Sequence, residues 1–200
     1  REVTPKLPKF KNNLNLSESQ LLVRKAKNGL TDKINENKRL HPGLGVSIPE
    51  GINLLKFKNF DSILTSNVDL IVLGISSKGI EWIAEQISRV YKNKKLPNLL
   101  MLTKGLSIHQ NEYELLVNKL ERLLSAEGIK EASISAIGGP CLATGLANKV
   151  HSSVVVANKN ISVAKKIANM ISTNYYHTSY SEDINGVEVS AAIKNIFSMA

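Results

Sequence analysis

Asp69-Leu70-Ile71-Val72-Leu73-Gly74-Ile75-Ser76-Ser77 is the stretch that decides the fold. Its apolar run is unbroken, which marks a strand buried on both faces rather than one with a wet side. Ser76-Ser77 then offers an N-cap for a helix carrying Ile80, Ile83, Ala84, Ile87 and Val90 at helical spacing. Outward from this unit the alternation repeats. Leu99-Leu100-Met101-Leu102 is the next strand and stops at Thr103-Lys104-Gly105. Glu112–Leu124 reads as an amphipathic helix, and Ser133–Ile137 as a third strand closed by Gly138-Gly139-Pro140. A short helix leads to strand Ser152–Ala157, helix Ile161–Ile171 and an extended piece near Tyr175–Tyr180.

Strands alternating with helices of this length predict an α/β fold, a Rossmann-like and largely parallel sheet with flanking helices. Ligands of such sheets sit beyond the carboxyl ends of the strands. Attention therefore falls on the residues just after Ile75, Leu102 and Ile137.

Before this core, residues 1–20 are polar and rich in Lys, Asn and Pro, and read as an arm. Leu21-Leu22-Val23 reads as a short strand, followed by a basic turn at Arg24, Lys25 and Lys27 and a short helix through Thr31–Lys38. His41-Pro42-Gly43-Leu44-Gly45 and Pro49-Glu50-Gly51 are turns. After the core, Asp183–Ala200 is apolar on nearly every side, the mark of a core helix in a larger helical body. The expected organisation is an arm (1–20), a Rossmann-like domain (21–180) incomplete at its start, and the first helix of an all-α domain (181–200).

The chain has 200 residues, 42% hydrophobic and 22% charged, enough to bury a sizeable core. No run approaches the roughly 20 apolar residues of a membrane span. No apolar segment with a small-residue cleavage site opens the sequence. Cys141 is the single cysteine, so no disulfide framework or CxxC metal pair is available. The expectation is a soluble, cytoplasmic protein. A net charge of +9 raises the question of nucleic acid, but the lysines are scattered and aromatics make up only 5%. A stacking platform is poorly supplied, and solvated faces account for the charge. His41, His109, His151 and His177 show no metal-ligand spacing.

Three places carry candidate chemistry. Lys104, after a strand end, is either a solvated loop lysine or an ammonium poised at the ligand edge. Gly138-Gly139-Pro140-Cys141 follows another strand end, where bare backbone serves a tight turn and close approach of a ligand alike. Lys194-Asn195 is polar in an apolar helix, with Ala191 and Ala192 just before it. A buried lysine there is paired or has a lowered pKa suited to proton transfer. A lysine that snorkels to solvent is the other reading, and the helix pattern leaves both open.

These blocks, in order, resemble the NAD(P)-dependent glycerol-3-phosphate dehydrogenase family. The resemblance rests on Leu40-His41-Pro42-Gly43, Leu70–Ile75 and Leu102-Thr103-Lys104-Gly105-Leu106. It continues through Gly139-Pro140-Cys141-Leu142-Ala143 to Asp183-Ile184-Asn185-Gly186-Val187-Glu188 with Ala192-Ile193-Lys194-Asn195. It implies reversible hydride transfer between NADH or NADPH and dihydroxyacetone phosphate, giving sn-glycerol 3-phosphate, in a homodimer that binds no nucleic acid.

By resemblance, Lys194 is the general acid/base, and Lys104 contacts substrate and cofactor. Gly139, Cys141, Lys194 and Asn195 border the substrate, and Ala143 the cofactor. The chain departs from the family at three points. Gly43-Leu44-Gly45 meets Ile48 and Pro49 instead of completing a glycine-rich dinucleotide turn. Cys141 stands where a hydroxyl residue is usual, and the Arg-Asn segment that the family uses for the substrate phosphate, in its C-terminal domain, is expected beyond Ala200. Two other readings stay open: a non-catalytic α/β binding module, and another two-domain NAD(P)-dependent dehydrogenase.

Overall fold

The computed structural model describes residues 19–23, 29–56, 60–64, 68–197 and 199. Residues 1–18 of the polar arm and the basic turn at Arg24, Lys25 and Lys27 lie outside the described residues, while Ser19 and Gln20, expected in the arm, are strand. The chain divides into two units, Arg1–Phe57 and Lys58–Ala200.

In the first unit, β1 (Ser19–Val23) runs parallel to β2 (Ile52–Lys56), with Leu21 opposite Leu54. Between them lie α1 (Leu30–Glu36) and a long turn. The Arg39 guanidinium organises that turn by donating to the carbonyls of Ile48, Pro49 and Ile52 at 3.0, 2.8 and 2.6 Å. His41 Nδ1 accepts from the Gly43 and Leu44 amides, both at 3.2 Å, so the expected turn is held by its own side chain.

The second unit opens with α2 (Phe60–Ile63) and β3 (Leu70–Leu73). A 3₁₀ turn at Ser77–Gly79 precedes α3 (Ile80–Tyr91). Ser76 makes no side-chain capping bond, so the expected serine cap gives way to a backbone turn closed by the Gly79 amide on the Ser76 carbonyl at 2.8 Å. Next come β4 (Asn98–Met101), β5 (Leu106–His109), β6 (Glu112–Leu115) and α4 (Leu116–Ala126). The helix expected from Glu112 thus begins at Leu116. Residues 112–115 instead pair antiparallel with β5, joined by Gln110 and Asn111, both at positive φ (51° and 65°). That two-residue reversal matches the twist of a hairpin.

The chain then forms β7 (Ile134–Gly138), α5 (Ala143–Ala147), β8 (Ser152–Ala157), α6 (Ile161–Ile171), β9 (Tyr176–Ser181) and α7 (Ile184–Phe197). The main sheet has the order β3-β4-β7-β8-β9. All its pairings are parallel except β7 with β8. The exception follows from the connection: α5 has five residues and does not cross back over the sheet, so β8 starts at the edge where β7 ends.

Strand alternation assigns the faces. Ile137, Val154 and Val156 pack with Ile167 and Ala168 of α6. Gly138 and its register partner Val155 point the other way, where α7 lies across β7. β7 is buried along its whole length, as a central strand covered on both faces must be.

Candidate active site

The parallel register of β3, β4 and β7 sets their carboxyl ends on one edge, and there the chemistry collects. Thr103 Oγ1 donates to the Ile75 carbonyl at 2.6 Å, tying the loop after β4 to the end of β3. The next residue, Lys104, is exposed on its loop and donates from Nζ to the Gly139 carbonyl at 3.1 Å. Two sequence candidates 35 residues apart are thereby joined.

Gly138 and Gly139 are required there for different reasons. A Cβ on Gly138 would lie 2.8 Å from Val187 Cγ1 and 3.3 Å from the Val187 carbonyl, so this glycine lets α7 close onto the sheet. Gly139 has φ 138°, and a Cβ on it would sit 2.6 Å from the Ser153 carbonyl. The backbone therefore turns beneath β8 only if that side chain is missing.

A cleft of about 510 Å³ opens beside this turn, lined by Gly138, Gly139, Pro140 and Val155 from the sheet and by Asp183, Gly186, Val187, Ser190, Ala191 and Lys194 from α7 and its approach. Val187, Ala191 and Lys194 follow at i, i+4 and i+7, one stripe of the helix. The first two pack toward Gly138, and Lys194 continues the stripe along the cleft wall. Asp183 starts the helix by accepting the Gly186 amide at 2.8 Å.

Lys194 is exposed, so the reading of a buried lysine is corrected. Its turn of α7 is open to solvent on the side that carries the polar residues. Asn195 is exposed beside it and does not line the cleft. Cys141 is half-buried and packs, with Tyr176, against the core cluster under α6. Ala143 opens α5 and is exposed. Among the described residues no group of three or more His, Cys, Asp or Glu side chains is placed to hold a metal ion. His151 Nδ1 and His177 Nε2 lie 2.9 Å apart and engage each other.

One residue with a strong physical signature escaped assignment from sequence. Glu188 is 5% exposed, and its carboxylate oxygens accept from the Val117 amide at 3.4 and 3.3 Å. Burial pushes its carboxyl up to about 7, against the opposing pull of the Val117 and Leu116 amides. The signal available in sequence was a carboxylate inside an otherwise apolar helix; its partner, 71 residues away, was not visible.

Comparison with known proteins agrees with this geometry. A family model described as "NAD-dependent glycerol-3-phosphate dehydrogenase N-terminus" matches residues 12–164. The chain is 28% identical over 162 residues to the NADP(+)-dependent glycerol-3-phosphate dehydrogenase of Archaeoglobus fulgidus, covering 81% of this chain and 46% of the relative. It is 34% identical over 131 residues to glycerol-3-phosphate dehydrogenase [NAD(P)+] of Rickettsia typhi, covering 66% and 38%. The chain thus spans less than half the length of these relatives.

Among solved structures, a Plasmodium falciparum glycerol-3-phosphate dehydrogenase superposes with TM-score 0.79 at 20% identity, over 94% of this chain and 50% of that one. The Coxiella burnetii glycerol-3-phosphate dehydrogenase gives 0.72 at 18% identity, over 91% and 52%. These likenesses establish the α/β fold with its mostly parallel sheet. With the family model matching well over half of its residues, the chain belongs to the NAD-dependent glycerol-3-phosphate dehydrogenase N-terminus family.

Proposed function

We propose that the chain is the dinucleotide-binding portion of a glycerol-3-phosphate dehydrogenase, which transfers hydride reversibly between NADH or NADPH and C2 of dihydroxyacetone phosphate. The observation that carries this reading is the convergence of two lysines on one strand-end turn: Lys104 bonded to the Gly139 carbonyl, and Lys194 on the wall of the cleft beside it. Two ammoniums at the ligand edge of a parallel sheet suit a phosphorylated carbonyl compound and an anionic dinucleotide. The donor set fits the cofactor on these grounds, and the bound dihydronicotinamide supplies the hydride.

Lys194 faces the carbonyl oxygen, stabilises the charge developing there and delivers its proton as C2 is reduced; the neutral amine takes the proton back in the reverse direction. Lys104 contacts substrate and cofactor in the role that family resemblance gives it. The side-chain-free backbone at Gly139 lets the substrate approach, with Cys141, Asn195 and Ala143 in the bordering roles that family resemblance gives them. Residues 21–180 form the Rossmann-like domain and 181–200 open a helical substrate domain. Support for that division comes from the end of α7, where Ile196 is 61% exposed, and from Met199 after it, which is 82% exposed. The protein works as a cytoplasmic homodimer on this reading, without nucleic acid. No helix among the described residues is long and apolar enough to cross a membrane.

Steady-state kinetics of the whole protein test the assignment. Lys194→Ala should lower kcat by about 10²-fold or more, the contribution of a general acid. Lys194→Arg keeps the charge but does not titrate near neutrality, and should fail as well. Lys104→Ala should mainly raise the Michaelis constants. A folded Lys194→Ala enzyme turning over at the wild-type rate removes Lys194 from the mechanism.

A further inference from the structure

We propose that Glu188 is a positioning residue: its buried carboxylate pins α7 to the N-terminus of α4 and so fixes the direction in which Lys194 faces the cleft. The inference rests on the reading of Lys194 as a cleft residue with a role to perform.

The N-terminus of α4 takes its acceptor from outside the helix. Its cap residue is Leu115, which has no side-chain acceptor, and its first turn contains no acidic residue. The first amides of any helix lack intrahelical partners, and burying them without acceptors is costly. Here the acceptor comes from another helix, as both oxygens of Glu188 lie within hydrogen-bond reach of the Val117 amide. A carboxylate also complements the partial positive charge of a helix N-terminus. Glu188 is 5% exposed, so its carboxyl is stripped of most of its water and the amide is the partner that compensates.

The consequence for Lys194 is geometric. Val187 and Glu188 are neighbours in sequence, so they project about 100° apart around the helix axis. Val187 and Ala191 press on Gly138, while Glu188 holds the α4 terminus. A helix held along one stripe can roll about that line; one held on two directions cannot. Lys194 continues the Val187–Ala191 stripe, so its direction is set by whatever stops the roll.

The same junction also serves the other lysine. The segment from Lys104 runs through β5 and β6 into α4, and Glu114 of β6 takes a bidentate hold on the Arg122 guanidinium of α4 at 2.8 and 2.9 Å. The segments that carry Lys104 and Lys194 are thereby both tied to α4.

The test needs no substrate, so its outcome is independent of the dehydrogenase reading, which the Lys194→Ala kinetics address. In the 200-residue chain, lysines are labelled with an amine-reactive ester and rates are read residue by residue by mass spectrometry. Amide exchange is followed at Leu116 and Val117. Loss of the carboxylate in Glu188→Ala should speed exchange at both amides and change the labelling rate of Lys194 by about threefold to tenfold, the range of one lost hydrogen bond. Lys149, on a remote turn, should keep its rate.

Glu188→Gln retains one acceptor oxygen and should bring Lys194 part of the way back. If Glu188→Ala does not fold, Glu188→Gln carries the test alone, with a smaller shift at Lys194 and none at Lys149. Faster amide exchange with Lys194 tracking Lys149 in the folded variants would overturn the proposal. So would unchanged exchange at Leu116 and Val117.

Discussion

Lys104 reaches the turn after β7, and Lys194 the cleft beside that turn, from regions built in opposite ways. Lys104 stands on a loop one residue past a strand-edge tether, and its ammonium is held by a hydrogen bond to the Gly139 carbonyl. Lys194 stands on a helix whose body is fixed by packing on Gly138 and by the Glu188 carboxylate. The first is oriented at its tip, the second at its base. Damage to the sheet turn should therefore reach Lys104 directly, and damage to the α7 supports should reach Lys194 while leaving Lys104 in place.

The largest effect is expected at the turn. Gly139→Ala places a Cβ against the Ser153 carbonyl at a φ of 138°, and the obstacle is backbone, which cannot swing aside. The expected loss of stability is about 3 kcal/mol or more, from strain and displaced strand pairing together. Urea denaturation followed by Trp82 fluorescence measures it. A variant as stable as wild type would show that the turn is looser than its contacts imply, and Lys104 would lose its fixed partner.

Glu188 comes next, and here pH is the probe. Its carboxyl lies at about 7 in the folded protein against an ordinary 4.5, so the folded state binds the proton more tightly than the unfolded state. The stability this adds is fully present below pH 4.5 and is lost as pH rises through 7. The shift corresponds to about 3 kcal/mol between those limits. Other carboxylates act in the opposite sense: Glu114, held low by the Arg122 guanidinium, contributes stability that falls away as pH drops. The stability difference between wild type and Glu188→Gln isolates the buried group. It should fall by about that amount from pH 4.5 to 8, and a flat difference would mean that Glu188 is not desolvated.

How much of this was legible in the sequence follows from where each partner lies. The strands Asn98–Met101 and Ile134–Gly138 show as apolar runs because burial on both faces needs no distant information, whereas Leu70–Leu73 reads the same in sequence yet stands at the edge of its sheet and leaves Val72 48% exposed. The β5–β6 hairpin does not show. Its turn uses Gln110 and Asn111 instead of glycine, and Leu115-Leu116 continues smoothly into the helical pattern that follows. Lys104 was legible from its place at a strand end. The environment of Lys194 was not, because an apolar pattern in α7 says which residues avoid water but not which turn is covered. The role of Glu188 does not show in sequence, since the orphan amides it serves belong to a helix far away along the chain.

Gly138→Ala sharpens the comparison from the other side. The added methyl meets Val187 Cγ1 at 2.8 Å and the Val187 carbonyl at 3.3 Å, so α7 rather than the sheet must give way. A cost of about 2 kcal/mol is expected, within the range for overpacking. Lysine labelling should report a changed rate at Lys194 and an unchanged one at Lys104, whose bond to Gly139 involves a carbonyl the methyl does not touch. Equal changes at both lysines would end the distinction between tip and base.

The smallest effect is expected at the start of α7. Asp183 Oδ1 accepts the Gly186 amide at 2.8 Å, the geometry of a helix cap three residues on, and the first turn of α7 holds no acidic residue. Asp183→Ala removes the acceptor and should cost about 1 kcal/mol, the usual value of such a cap. Asp183→Asn keeps an oxygen in place and loses only the charge, whose interaction with an exposed helix end contributes a few tenths of a kcal/mol. The ratio of the two losses in urea denaturation is the informative quantity. A small loss for Asn beside a larger one for Ala means that Asp183 holds the helix through the bond to Gly186. Equal losses would mean that the charge is what matters. Since Asp183 lines the same cleft as Lys194, its carboxylate would then belong to the electrostatics of the cleft rather than to the support of the helix.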